Sequence, residues 1–152
     1  MITINLVCVG NLKEDFSRKN QDEYLKRLSA FCKVNVVEIK EQNQLENTAN
    51  ILEKEGEEIL KKLKGFVVLC DLGGKEISSV DFAKKIEYIS QTNSCITFVI
   101  GGSYGVSDAV KNAANFKICF SPMTFPHNLF RIMLLEQIYR AFTISAGKSY
   151  HK

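Results

Sequence analysis

The chain has 152 residues, a formal net charge of +3 and a hydrophobic content of 45%. This size and composition are typical of a single globular domain with a full hydrophobic core. The mild positive charge permits an RNA partner but does not indicate one, because nucleic-acid-binding domains usually carry a strongly basic patch. The N-terminal residues have no basic region before their apolar run, and no apolar run is long enough to span a bilayer, so we expect neither a secretion signal nor a membrane partner.

The cysteines are odd in number and lie far apart in the chain. They are Cys8, Cys32, Cys70, Cys95 and Cys119. No two of them form a C-x-x-C pair, which argues against a zinc site or a redox motif. We therefore expect free, largely buried thiols in the reducing cytoplasm, and no bound metal.

Apolar segments with strand-like and helix-like spacing alternate along the chain. The predicted strands are 2–8, 34–39, 66–70, 96–100 and 116–120. The predicted helices are 15–31, 45–63, one starting after Ser78, one running from Ser107 to 114, and 128–146. Strands alternating with helices predict one α/β domain over residues 1–152, with a mainly parallel sheet.

Within that plan, three local details are expected. The first helix should bury Phe16, Tyr24, Leu28 and Phe31 on one face. Gly65 should follow the second helix at its C-terminal cap. Residues 71–75 read Asp-Leu-Gly-Gly-Lys and predict a turn directly after the third strand.

Three predicted strand ends carry loops rich in Gly, Pro or hydroxyl residues. They are 70–74, 101–105 and 120–125. In open parallel sheets, ligands bind outside the carboxyl ends of the strands. If these strands are neighbours, the three loops converge on one pocket.

The glycine-bearing loop 101–105 has two interpretations. It differs from the dinucleotide-binding fingerprint, because its glycines follow a late strand and position 125, where an acidic residue is expected, is Phe. The loop is therefore either a tight turn that needs positive φ or a place where a ligand lies directly against backbone.

The loop after the last strand is apolar with scattered hydroxyl groups. Pro122 and Pro126 stiffen it. Its backbone N–H and C=O groups could recognise an adenine edge between apolar side chains. The alternative is a rigid connection into the last helix, with Met123 and Phe125 in the core.

The last helix and the tail contain the remaining candidates. The apolar set of this helix is too wide for one core face, which favours a homodimer. Glu136 and Arg140 are four residues apart and either pair with each other, or Arg140 and Arg131 hold a phosphate. The tail carries Tyr150 and His151 among lysines, so it either stacks on a base or is a frayed end.

Over essentially its whole length, the chain resembles the small single-domain SPOUT-type methyltransferases that modify large-subunit ribosomal RNA. Four segments carry the resemblance: FVIGGSYG at 98–105, MTFPH at 123–127, EQIYRA at 136–141 and the ending YHK. Each is weak alone, but together they are specific.

The resemblance implies a SPOUT-like fold with a C-terminal trefoil knot, which general topology rules would not predict. It implies S-adenosylmethionine as the methyl donor. The cofactor contacts that it implies are Cys70, Gly101, Phe120, Ser121, Pro122, Met123, Thr124 and Phe125. Relatives often have Leu where this chain has Cys70.

The resemblance also implies a reaction and an assembly. The expected product is a pseudouridine methylated at N3 in helix 69 of 23S rRNA, formed on the assembled ribosome in the cytoplasm, with no DNA partner. In the implied homodimer, the tail of one subunit completes the active site of the other. Tyr150, His151, Arg140 and Glu136 are then the catalytic candidates, and Arg131 and Lys148 the candidates for RNA contact.

Two other functions remain open at this point. The chain could be a catalytically silent module that binds RNA or the ribosome, which would have no affinity for S-adenosylmethionine. It could also be a related methyltransferase acting on tRNA, although the short length of 152 residues counts against this and we expect no appended RNA-binding domain.

Overall fold

A computed structural model describes residues 1–44 and 47–152. They form one five-stranded sheet with helices on both faces. The strands are β1 (Thr3–Val9), β2 (Lys33–Ile39), β3 (Phe66–Glu76), β4 (Cys95–Ile100) and β5 (Phe116–Cys119). The helices are α1 (Asp15–Leu28), α2 (Thr48–Leu60), α3 (Ser79–Ser90), α4 (Asp108–Ala113) and α5 (His127–Ser145).

All neighbouring strands run parallel, in the order β2-β1-β4-β3-β5. Ile100 at the end of β4 pairs with Cys8 of β1 on one side and Cys70 of β3 on the other. The carboxyl ends of β1 and β4 therefore lie beside Cys70 of β3 at one edge of the sheet. This confirms the predicted α/β fold with a parallel sheet, whereas the trefoil knot stays a prediction.

The helices divide between the two faces of the sheet. Side chains of α1, α3 and α5 pack on one face, around Phe98 and Ile4. Side chains of α2 and α4 pack on the other, around Val7 and Val99. The central strands are covered on both faces, which explains their continuous apolar runs.

The predicted helix starts after β3 and β4 are confirmed by their caps. The hydroxyl of Ser78 accepts a hydrogen bond from the backbone N–H of Asp81 at 3.1 Å. The hydroxyl of Ser107 accepts one from the N–H of Val110 at 3.4 Å. Each satisfies an N–H group that has no partner within its helix.

The third strand differs from its prediction. Residues 71–75 were expected to form a turn, but β3 continues through them to Glu76. Its pairing with β5 shifts between Cys70 and Lys75, so the intervening residues bulge out of the ladder. A Cβ atom at Gly74 would lie 2.6 Å from backbone atoms of Ile118, so this close strand approach requires glycine.

Three helix predictions are also corrected. Helix α1 ends at Leu28, before Phe31, and Phe16 is 73% exposed instead of buried. Helix α2 ends at Leu60, so Gly65 lies beyond its cap; Gly65 has a φ of 64° in the connection to β3. The predicted start of that helix, Leu45, lies outside the described residues.

The five cysteines are free, with Cys8, Cys32 and Cys119 buried and Cys70 and Cys95 partly exposed. No group of three or more potential metal ligands occurs in ranges 1–44 and 47–152. Within the same ranges, no helix is both long and apolar enough to cross a membrane.

Candidate functional site

A cavity of about 430 Å³ lies at the edge of the sheet where β4 and β5 end and β3 bulges. Its size suits a small-molecule ligand. Its walls come from the bulge of β3, the glycine loop after β4, the loop after β5 and the first turn of α5. The position agrees with the convergence predicted for the three loops.

The glycine loop is tight and leaves no room for side chains on one side. A Cβ atom at Gly101 would lie 2.7 Å from the carbonyl oxygen of Gly105 and 2.8 Å from Cγ1 of Val106. Gly105 has a φ of 82°, a backbone conformation that favours glycine. The tight turn and the exposed backbone wall are thus the same feature, and the two interpretations of this loop do not compete.

The loop after β5 is held by its own hydroxyl group. The Ser121 side chain accepts a hydrogen bond from the N–H of Met123 at 3.1 Å. Met123 itself is 73% exposed, so it is not a core residue. The ring of Phe120 contacts that of Phe130 with centroids 4.7 Å apart, which ties the loop to α5.

Seven of the eight predicted cofactor contacts line this cavity; Pro122 is not among them. The seven are Cys70, Gly101, Phe120, Ser121, Met123, Thr124 and Phe125. Burial around the Cys70 thiol raises its pKa, so it stays protonated and is no nucleophile. A ligand held here would therefore meet Cys70 as a neutral thiol.

Other lining residues were not predicted as contacts. They are Asp71, Leu72, Ile100, Gly102, Ser103, Tyr104, Gly105, Val106, Lys111, Ile118, Cys119, His127 and Phe130. His127 opens α5 beside Gly10, where an added Cβ would lie 3.3 Å from Nε2 of the imidazole. The sequence feature that could have identified His127 is its place directly after Pro126, next to a predicted helix start.

The four catalytic candidates form a second cluster on α5, away from the cavity walls. The Tyr150 hydroxyl donates to Oε2 of Glu136 at 2.9 Å. Arg140 donates from Nε and Nη2 to Oε1 of Glu136 at 3.0 and 2.6 Å. The tail is therefore folded back onto the helix in this structure and is not frayed.

Glu136 is held as a carboxylate by its neighbours. Burial acts to raise its pKa, but hydrogen bonds from Tyr24, Arg140 and Tyr150 outweigh it and the net pKa is lowered. Burial, together with the hydrogen bond to Glu136, raises the pKa of Tyr24 to about 12. A carboxylate with a lowered pKa is a poor proton acceptor, so Glu136 is better suited to anchoring Arg140 and Tyr150.

The orientation of His151 follows from its contact with Arg140. Nη1 of Arg140 lies 3.0 Å from Nδ1 of the imidazole. A guanidinium can only donate, so Nδ1 accepts and a neutral ring carries its proton on Nε2. Nε2–H is then the group that His151 can present to a substrate carbonyl.

The cavity and the tail cluster are separated along the same helix. His127 lines the cavity, and none of the four catalytic candidates does. Glu136 is nine residues further on, or about 13 Å along the axis of an α-helix. Within one subunit, the cluster does not close over the cavity.

The structure corrects the prediction that Arg131 contacts RNA. Arg131 is only 1% exposed. Its Nη1 donates to Glu38 at 2.7 Å and its Nη2 to the carbonyl of Gly10 at 3.1 Å. This enclosed guanidinium joins α5 to the ends of β1 and β2, a structural role, and is not presented to a substrate.

Lys148 remains exposed at the start of the tail. Its ammonium lies 5.4 Å from the centroid of the Phe31 ring. Arg140 also lies over the Tyr150 ring, with Cζ 5.0 Å from its centroid. These cation–π contacts hold the tail against α5 and the segment that follows α1. The contact of Lys148 with RNA stays a prediction.

The chain matches the family model described as "Predicted SPOUT methyltransferase" over residues 2–151. It is 50% identical to "Ribosomal RNA large subunit methyltransferase H" of Clostridium acetobutylicum, covering 99% of this chain and 100% of that protein. A protein of the same name from Clostridium botulinum strain Loch Maree has the same identity and coverage.

Among solved structures, a probable methylase family protein from Haemophilus influenzae is similar in fold, with a TM-score of 0.54 and 12% identity. The match covers 99% of this chain and 70% of that one. That likeness bears on the fold alone. The match to the family model spans nearly every residue, and on that evidence the chain belongs to the SPOUT methyltransferase family.

Proposed function

We propose that this protein transfers a methyl group from S-adenosylmethionine to N3 of a pseudouridine in helix 69 of 23S rRNA, acting on the assembled ribosome as a homodimer. The ribosomal RNA target is supported by the two clostridial relatives named above. The specific base is supported by the resemblance of the motifs at 98–105, 123–127, 136–141 and the YHK ending.

The donor is proposed from the cavity at the strand ends. It has the volume for a nucleoside-sized ligand, a glycine wall at 101–105 and backbone groups in the loop after β5. S-Adenosylmethionine supplies an electrophilic methyl group. The residues of the cavity would bind and orient it and exclude water, which are the main demands of such a transfer.

The single observation that carries the proposal is the separation of the cavity from the tail cluster. Glu136, Arg140, Tyr150 and His151 share one hydrogen-bonded network, yet none lines the cavity of its own chain. A second subunit could bring its tail cluster to this cavity. Met123 in the loop after β5 and Leu129 in the first turn of α5 are exposed and offer apolar surface for that contact.

The proposed roles of the tail residues follow from their contacts. Glu136 fixes the guanidinium of Arg140, whose positive charge favours the deprotonated base when N3 loses its proton. His151 presents Nε2–H to a carbonyl of the base, and the Tyr150 ring closes over it. Glu136 is a poor acceptor for the N3 proton because its pKa is lowered, so that proton passes to solvent before transfer. N3 then forms its bond to the methyl carbon as the bond from that carbon to sulfur breaks, which leaves the neutral thioether. The mechanism thus depends on positioning and electrostatics.

Mixing two inactive variants tests the shared site. His151→Ala removes the tail function and Gly101→Ala removes the cavity. If the tail acts in the partner subunit, random mixed dimers restore about a quarter of the wild-type sites, because half of the dimers carry one intact site of two. If each subunit is self-sufficient, the mixture stays inactive.

The target is tested by mass spectrometry of 23S rRNA from cells with and without the protein. Loss of one methyl group from a single pseudouridine in helix 69 is expected. An unchanged helix 69 with methylation lost elsewhere would contradict the proposed base. Methyl transfer to assembled particles is expected to be far faster than to a short RNA hairpin, because the net charge of only +3 attracts naked RNA weakly.

A further inference from the structure

Glu55 is a buried carboxylate that neither the fold nor the proposed mechanism has used. It lies on α2 and is 3% exposed. Its Oε2 accepts a hydrogen bond from the backbone N–H of Gln42 at 2.9 Å. Among residues 1–44 and 47–152, no Lys, Arg or His forms a salt bridge with it. A buried charge without a cationic partner is costly to keep.

This carboxylate lies directly behind the glycine wall of the cavity. A Cβ atom at Gly102 would be 3.3 Å from Oε1 of Glu55 and 3.0 Å from Cγ1 of Val9. Gly102 lines the cavity, as does its neighbour Ser103. Because Gly102 has no side chain, the Glu55 carboxylate packs directly against the backbone of a residue that lines the cavity.

The charged groups around Glu55 do not neutralise it. Burial raises its pKa, the hydrogen bond from Gln42 lowers it, Glu41 raises it and His127 lowers it, with a net rise. Glu41 is itself acidic and cannot neutralise Glu55. Its Oε1 accepts a hydrogen bond from the Ser103 hydroxyl at 3.1 Å. When ionised, Glu55 therefore places a negative charge, without a salt-bridge partner among the described residues, against the wall of the cavity.

The proposed donor and its product differ in charge at one atom. S-Adenosylmethionine carries a sulfonium cation, whereas S-adenosylhomocysteine, which has lost the methyl group, has a neutral thioether. A negative charge in a poorly solvated site distinguishes the two, because Coulomb interactions are screened less there than in water. Uniform contacts with the adenine and ribose cannot do so, since these parts are identical.

We infer that Glu55 is a specificity-determining residue that makes the cavity bind the sulfonium donor more tightly than the neutral thioether product. The inference rests on the proposed donor. It gives the buried carboxylate a function that its own hydrogen bonds do not supply: release of the product is favoured once the charge has left with the methyl group.

The test is calorimetric titration of S-adenosylmethionine and S-adenosylhomocysteine into the dimeric wild-type chain, Glu55→Gln and Glu57→Gln. Glu55→Gln keeps the volume and an oxygen for the Gln42 N–H but removes the charge. Glu57 lies on the same helix and is exposed, so its variant is the matched control. In Glu55→Gln, S-adenosylmethionine is expected to bind more weakly relative to S-adenosylhomocysteine, with the ratio of the two dissociation constants changing about tenfold. In Glu57→Gln it should stay within about twofold.

The outcomes separate this inference from the proposed donor. A wild-type chain that binds neither compound would overturn both. If the wild type binds both and Glu55→Gln leaves the ratio unchanged, the inference alone fails. Parallel weakening of both compounds would also overturn it, because Glu55 would then only position the loop.

A second measurement does not depend on the folding of Glu55→Gln. In the wild-type chain, the ratio is measured as the pH is lowered until Glu55 is protonated, with its side-chain titration followed by ¹³C NMR. The donor preference is expected to fall with that titration. Glu41→Gln and His127→Gln chains are measured in parallel, because those groups also face Glu55. A ratio that stays constant while Glu55 titrates would overturn the inference.

Discussion

The hydroxyl of Tyr150 donates a hydrogen bond to Oε2 of Glu136 at 2.9 Å, joining the end of the chain to the middle of α5. The Tyr150 ring also meets the Tyr139 ring edge-on, with centroids 4.9 Å apart. The tail is thus organised before any substrate binds. Pre-organisation lowers the entropy cost of closing a site, so the tail contacts should affect the chemical step more than donor binding.

Removing only the hydroxyl group tests this. Tyr150→Phe keeps the ring contacts with Tyr139 and Arg140 but loses the bond to Glu136. We expect the single-turnover rate on ribosomal particles to fall about tenfold, the value of a hydrogen bond of about 1.4 kcal/mol. Donor affinity should be unchanged. Tyr88→Phe, an exposed tyrosine on α3, is the control, and an unchanged rate in Tyr150→Phe would contradict the role of the tail.

Substitution of Arg140 should slow methyl transfer more than substitution of Tyr150. It makes two bonds to Glu136 and one to His151, and a lysine cannot reproduce this fork. Arg140→Lys should slow single-turnover methyl transfer by about a hundredfold, in the range of a lost electrostatic contact in an active site. His151→Ala should also slow single-turnover methyl transfer. Unchanged rates in Arg140→Ala and His151→Ala together would remove the mechanism.

The glycine wall makes a prediction about donor binding. At Gly101, an added methyl group would meet the Gly105 carbonyl at 2.7 Å, so Gly101→Ala should distort the loop and abolish measurable binding of S-adenosylmethionine. Gly147 has a φ of 69° and nothing within 4 Å of an added Cβ. Gly147→Ala should therefore cost only about 1–2 kcal/mol of backbone strain and keep full donor affinity. Calorimetry and urea unfolding of both variants check this.

Sequence patterns predicted the strands well, since buried parallel strands are continuous apolar runs such as 66–70 and 96–100. They failed where tertiary contacts override local composition. Residues 71–75 have turn composition, yet the pairing of Lys75 with Ile118 of β5 keeps them in a bulged strand. Nothing local to 71–75 indicates that pairing.

In the candidate site, too, some features could be predicted from the sequence and others could not. The loops at the strand ends could be predicted, because parallel topology brings them to one edge. Arg131 could not, because a charged residue on an amphipathic helix is normally assigned to the surface, and its partner Glu38 is 93 positions away in the chain. Glu55 was missed for the same reason, among the many charged residues of α2.

The ion pair of buried Arg131 and half-exposed Glu38 should respond unequally to loss of either partner. The Arg131 side chain is 2% exposed and that of Glu38 is 42% exposed. Removing Glu38 leaves a buried cation, so Glu38→Ala should cost about 3 kcal/mol of unfolding free energy. Arg131→Met leaves a carboxylate that water can reach and should cost about 1 kcal/mol.

Urea unfolding measures both changes. Glu23→Ala, which breaks the exposed pair with Arg27, is the control and should change the free energy of unfolding less than either variant. If Glu38→Ala and Arg131→Met lose the same free energy of unfolding, Arg131 is better solvated than its burial indicates.

Glu55 predicts an unusual pH dependence of stability. Its pKa is raised in the folded chain, mainly by burial. The folded state then holds the Glu55 proton more tightly than the unfolded state. Protonated Glu55 therefore contributes to the stability of the fold. That contribution is fully present below the pKa of the unfolded chain and is lost as the pH rises through the pKa of the folded chain. Ionised Glu55 is therefore destabilising at neutral pH, and Glu55→Gln should be more stable than the wild type there.

The measurement is the free energy of unfolding of both chains from pH 4 to pH 8. The difference in favour of Glu55→Gln should grow as the pH rises through the raised pKa and then level off. The Glu57→Gln control should show no such rise, because its carboxylate is exposed. A structural role for the carboxylate predicts the opposite sign, with Glu55→Gln less stable at neutral pH. Higher stability together with weaker donor selectivity would show that the charge is kept for the ligand at the expense of the fold.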